Sequence, residues 1–130
     1  MTKMKRAHVE GKYKVIFYTD KNGVKPTKEW LRSLLRSTNP IEKSLAGKIN
    51  NCIDNLVLLG FGLREPHSKK LHNGIWELRP EGYRVLYAYL IGVHFIILHH
   101  AKKGKKREQD AAAIQAARNL AEYKSREGIK

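Results

Sequence analysis

The stretch that decides the fold runs from Gly74 to Asp110: GIWELRPEGYRVLYAYLIGVHFIILHHAKKGKKREQD. It contains three segments rich in β-branched and aromatic residues, GIWELRP, YRVLYAYL and VHFIILHHAK, separated by the turn signals PEG and IG. Connections this short cannot carry a crossover, so the segments read as an antiparallel meander. With Glu81 and Gly82 as the first turn, Pro80 pairs with Tyr83 and Arg79 lies opposite Arg84. Alternation then sets Ile75, Glu77, Arg79, Arg84, Leu86 and Ala88 on one side of the sheet. Trp76, Leu78, Tyr83, Val85, Tyr87 and Tyr89 take the other, bulkier side, which suits a helix-packed core. A second turn at Ile91–Gly92 places His99 opposite Arg84, with Lys103 continuing the same side.

Upstream, KYKVIFYTD (Lys12 to Asp20) reads as a first strand closed by the turn signal KNG. PTKEWLRSLL follows with Trp30, Leu31, Leu34 and Leu35 at helical spacing. In TNPIEKSLAGKINNCIDNLVLLGFG, Asn39 is placed to cap a helix, Pro40 suits its first position and Glu42 stands three residues after the cap. Ile41, Leu45, Ile49, Ile53 and Leu56 form its apolar stripe, and Gly60 or Gly62 ends it. Downstream, REQDAAAIQAARNLAEYK favours a helix buried through Ile114, Ala117 and Ala121. The expected fold is α+β in the order β-α-α-β-β-β-α, two N-terminal helices packed on a small antiparallel sheet. Residues 1–130 read as a single domain, with 1–11 and 125–130 flexible.

Lys and Arg number 26 against 12 Asp and Glu, a formal charge of +14, which predicts a polyanionic partner and salt-sensitive binding. The single cysteine, Cys52, falls in an apolar helix and reads as core, so no internal disulfide forms and a reducing cytoplasm is expected. No apolar run approaches the ~20 residues of a membrane span. The basic N-terminus lacks the apolar segment of a signal peptide. The histidines and cysteine have no metal-ligand spacing, and no phosphate-cradling glycine loop is present, so neither metal nor cofactor is expected.

The location of the charge narrows its meaning. Arginines opposite one another in a sheet repel, and such a row is tolerated when an anion occupies it. Arginine's fork matches phosphate oxygens in pairs, which makes a phosphodiester the leading candidate. KKGKKR (Lys102 to Arg107) then places cations at the unfavourable end of a helix dipole, and Lys69 and Lys70 lead into the same sheet. The competing structural reading has Glu77 neutralising one arginine, His99 half-buried without a role, and the lysine run simply solvated.

KKLHNGIWELRPEGYRVLYAYLIGVHFIILHHAKKGKK resembles the signature of the RelE/ParE superfamily of toxin–antitoxin toxins, especially its HigB-like, phage-derived branch. The matching positions are Lys69/Lys70-Leu71, Trp76-Glu77-Leu78-Arg79, Tyr83-Arg84-Val85-Leu86-Tyr87 and His99-His100-Ala101-Lys102-Lys103. The resemblance implies a compact fold and a metal-independent endonuclease that cuts mRNA in the ribosomal A site and is neutralised by a helix-turn-helix antitoxin. Under it, Arg79 and Arg84 clamp phosphate, while Lys102 and Lys103 stabilise the transition state or move a proton. His99 is the reserve acid–base group, because imidazole titrates near neutrality. Lys69, Lys70, Lys105, Lys106 and Arg107 bind RNA. Where the family often begins its last helix with Thr-Pro, this chain has Gly104-Lys105-Lys106-Arg107, and Tyr123 is the only counterpart of a terminal tyrosine used by some relatives. A gyrase poison of the ParE type and a non-catalytic basic RNA- or ribosome-binding module are the alternatives.

Overall fold

A computed structural model describes residues 11–130. The elements run β1 (Lys14–Phe17), α1 (Pro26–Arg36), α2 (Pro40–Leu59), β2 (Ser68–Lys70), β3 (Trp76–Leu78), β4 (Tyr83–Ile91), β5 (His94–Lys102) and α3 (Lys106–Glu127). The fold is α+β, as expected, with a five-stranded sheet in the order β1-β5-β4-β3-β2.

Two features correct the expected architecture. The sheet is mixed, because β1 lies parallel to β5. It also gains β2, antiparallel to β3, from residues whose lysines hid a strand. The three strands of the meander form in antiparallel order, and its first hairpin has the register read from the sequence. Glu77 pairs with Leu86 and Leu78 with Val85, and the turn closes through the Tyr83 amide donating to the Pro80 carbonyl at 3.0 Å. Gly82 takes φ +76° in that turn, a conformation that favours glycine.

Helices cover both faces of the sheet. On one face α1 and α2 bury Leu31, Leu34, Ala46, Ile49 and Leu56 against Leu78, Val85, Tyr87, Phe95 and Ile97. On the other, α3 lies over Ile75, Leu86, Ala88, Ile96 and Leu98 through Ala112 and Ala116. The two-sided alternation expected for β3 and β4 is therefore right, yet the side carrying the arginines is also a core. Sequence alternation reveals which residues share a face but not how many faces are covered.

Asn39 caps α2 as expected, its side chain accepting from the Ile41 amide at 2.8 Å. Gly60, at φ +50°, ends the helix; a Cβ there would run into the Tyr13 ring. The expected stripe fails at its first member, since Ile41 is 79% exposed while Ile49 and Leu56 are buried. In α3 the buried face is displaced too: Ile114 is 54% exposed, Ala121 is exposed, and Ala112 and Ala116 take the sheet-facing positions. Alanines let the helix approach the sheet closely, and that contact overrides the pull of the larger side chain.

At the C-terminus α3 runs to Glu127 and closes with Gly128 in the left-handed conformation. Arg126 pairs with Glu122 at 2.7 Å and also donates to the Thr19 carbonyl, and Ile129 packs into the α3-side core. Most of the N-terminal stretch expected to be flexible lies outside the described residues.

Candidate nucleic-acid interface

The site forms where β3 ends, β4 begins and β5 runs out, and the register decides which side chains share it. Beyond β3 the pairing continues, with the Arg79 amide donating to the His67 carbonyl at 3.1 Å. The β3–β4 register carried past Leu78 sets Arg79 opposite Arg84, as the two-residue turn requires. The β4–β5 register does not follow expectation. Ile91 pairs with His94, so the turn is Gly92–Val93, and irregularities fall at Tyr89/Ile91 and Leu86/Tyr87. Arg84 therefore pairs with Ala101, and His99 with Leu86. The shift is two residues, so His99 keeps its face but moves one step along the sheet from its expected place opposite Arg84. At the second irregularity the Leu98 carbonyl is satisfied by the Asn119 amide of α3 at 2.8 Å.

Two cross-strand rows result on the face shared with α3. One runs Lys69–Glu77–Leu86–His99, and the next runs His67–Arg79–Arg84–Ala101. Lys103 follows Ala101 by alternation, its amide held by the Gly82 carbonyl at 2.9 Å. The same alternation sends Lys102 and Lys70 to the opposite face: Lys102 opposite Tyr83, and Lys70 with its Nζ 5.8 Å above the Trp76 ring. Lys105, Lys106 and Arg107 are exposed around the start of α3, where Lys106 reaches Asp110 at 3.0 Å. Glu108 accepts from the Lys105 amide at 2.9 Å, which places a carboxylate at the helix terminus the lysines would otherwise burden. Gly104 makes room for it, because a Cβ there would lie 2.6 Å from the Glu108 carboxylate.

Glu77 organises the arginines. It is 6% exposed, its Oε2 accepts from Arg79 Nε at 2.9 Å, and Arg84 Nε stands 3.6 Å from the same oxygen. Arg84 also donates through Nη1 to the Tyr83 carbonyl at 2.7 Å. Its Nε is buried and has no hydrogen-bond partner among the described residues. The expectation that an external anion alone relieves the repulsion is thus corrected. An internal carboxylate does much of that work for both arginines, and the trio retains a net positive charge.

The histidines divide by face. His100 turns toward α1, with its ring stacked on Trp30 at 4.1 Å and its Nδ1 2.8 Å from the Thr27 hydroxyl. Burial, assisted by the His99 charge, lowers its pKa to about 4. His99 is half-buried, and burial likewise pushes its pKa down, which favours the neutral ring. His67, exposed and paired in register with Arg79, escaped the sequence reading, because nothing local marks Ser68–Lys70 as a strand. Tyr123 lies far from this cluster, about 25 Å along α3 from Lys106 by helical rise, packed edge-on against Tyr18. Among the described residues, no three His, Cys, Asp or Glu side chains gather where they could hold a metal ion. Nor is any described helix long and apolar enough to cross a membrane.

The chain is thus a mixed-sheet α+β domain of strong positive charge, with arginines, lysines and histidines gathered by register near one set of strand ends. The family described as "Phage derived protein Gp49-like (DUF891)" matches residues 36–122, and the chain belongs to that family, part of the RelE/HigB-like toxin group. No curated protein matches the chain. Membership is consistent with a toxin of a toxin–antitoxin pair, with an antitoxin as partner.

Proposed function

We infer that the chain is a HigB-like toxin of a type II toxin–antitoxin system and cleaves mRNA on the ribosome in the cytoplasm. The observation that carries this reading is the pair Arg79 and Arg84 held on one buried carboxylate beside Lys103 and the exposed Lys105–Arg107 cluster. A guanidinium pair fixed in advance suits a phosphodiester whose charge grows in the transition state.

The reaction is attack of the ribose 2′-oxygen on the adjacent phosphorus. The P–O5′ bond breaks and a 2′,3′-cyclic phosphate and a 5′-hydroxyl form. One group removes the 2′-hydroxyl proton and another protonates the departing O5′. Arg79, the more exposed of the two arginines, clamps a phosphate oxygen, while Arg84, fixed by Glu77 and the Tyr83 carbonyl, supplies positive potential beside it. His99, favoured in its neutral form by burial, is the proton acceptor on this face. His67 is the exposed imidazole placed to donate, and Lys103 stabilises the equatorial oxygens. Lys102, on the other face, joins Lys69, Lys70, Lys105, Lys106 and Arg107 in holding the RNA backbone. Codon choice comes from the ribosomal A site.

The test is primer extension on cellular messages after induction. The native chain cuts them, and Arg84→Ala at equal protein level lowers cleavage about a hundredfold. Full cleavage by that variant overturns the assignment. Intact messages with DNA damage point to a gyrase poison, and RNA bound but uncut points to a binding module.

A further inference from the structure

A groove of about 990 Å³ runs along β1, away from the basic strand ends. Among the described residues β1 is an edge strand, bonded on one side only, to β5. The Lys14 amide donates to the Val93 carbonyl and the Tyr18 amide to the Ile97 carbonyl. In a parallel ladder residues alternate in the side they bond, so the backbone amides and carbonyls of Val15 and Phe17 point outward into the groove. Of these groups only the Phe17 carbonyl is engaged by another described residue, the Thr19 hydroxyl at 3.4 Å. Leu31 and Leu35 of α1 with Ile53 and Val57 of α2 form an apolar wall beside this edge. Four cations, Lys14, Lys25, Lys28 and Arg32, line it against one carboxylate, Asp54.

We propose that this groove is the docking site of the antitoxin, which adds an extended segment to the sheet alongside β1, with acidic side chains meeting the rim and apolar ones entering the wall. The proposal rests on the toxin–antitoxin reading above. Unpaired strand edges recruit extended segments through main-chain hydrogen bonds, and flanking pockets read alternate side chains. Charge selects the occupant. A second copy of this +14 chain brings the same sign to the groove, and so do the chain's own residues 1–10, with Lys3, Lys5 and Arg6 against Glu10. An acidic segment is the complement. β1 begins opposite His94, at the far end of β5 from Lys102, so a partner seated here leaves the arginines uncovered at its point of attachment.

The experiment uses the full chain and the protein encoded beside it, co-expressed and purified. Hydrogen exchange is read at Val15 and Phe17, and binding is measured for the double variant Lys14→Glu, Arg32→Glu. Expected are protection of both amides in the complex alone and binding weakened about tenfold or more by the charge reversals, with growth arrest by the free variant preserved and its thermal midpoint near that of the native chain. If the neighbouring protein binds and relieves arrest while both amides exchange as in the free chain, the groove assignment falls and the antitoxin reading stands. If it neither binds nor relieves arrest, both fall. Protection already present in the free chain, and lost on deleting residues 1–10, gives the groove to the chain's own N-terminus and also overturns the proposal.

Discussion

Arg84 Nε sits 3.6 Å from Glu77 Oε2, close enough for an ion pair and too far for a hydrogen bond, and is buried without another acceptor among the described residues. The Glu77 oxygen it faces is already occupied by Arg79 Nε at 2.9 Å. One carboxylate therefore restrains two guanidiniums unequally, and several consequences can be measured.

Glu77→Gln keeps the shape and removes the charge. Two partly buried arginines then face each other with no anion between them, and stability falls by roughly 1–3 kcal/mol in urea denaturation. RNA affinity should not fall with it, since the site becomes more positive, and the slope of log K against log salt stays the same or steepens. A variant that loses stability and RNA binding together would show that Glu77 positions the arginines rather than merely neutralising them.

His100 links stability to pH. Its pKa is depressed to about 4 in the folded chain against an ordinary value near 6.5, so folding favours the neutral ring. The stabilisation is complete above pH 6.5 and is lost as pH falls toward 4. The denaturation midpoint should drop across that window. His100→Phe, which can retain the stack on Trp30, should flatten much of the drop, leaving the smaller share of His99, whose shift has the same sign.

The displaced face of α3 can be tested by paired substitutions. Ala116 is fully buried against the sheet, so Ala116→Leu overpacks the contact and should destabilise by about 1–3 kcal/mol. Ile114→Ala, at a position 54% exposed, should stay within about 0.5 kcal/mol. Thermal melts of the two variants give the comparison, and a reversed ranking would restore the phase read from the sequence.

Truncation after Lys124 removes the Arg126–Glu122 pair, the bond to the Thr19 carbonyl and the packing of Ile129. Stability should fall by about 1–2 kcal/mol. The Tyr18 hydroxyl donates to Glu122 at 2.6 Å, and its pKa is raised to about 12 chiefly by burial while the Arg126 charge opposes the rise, so Arg126→Ala should move its titration to higher pH by ultraviolet absorbance.

The sequence by itself determined the features carried by neighbouring residues. A two-residue turn with Gly82 fixes the β3–β4 register, and so sets Arg79 opposite Arg84; Asn39 caps α2 through a side chain two residues from its donor. Only the tertiary structure decided the rest. The parallel seat of β1 beside β5, the strand status of Ser68–Lys70, the two-residue displacement of His99 and the helix covering the arginine face depend on segments far apart in the chain. The burial of Glu77 depends on them as well. Local hydrogen-bond geometry is written in adjacent residues, whereas the partner that covers a face or edge is chosen by packing among distant elements, whose pairing no local pattern encodes.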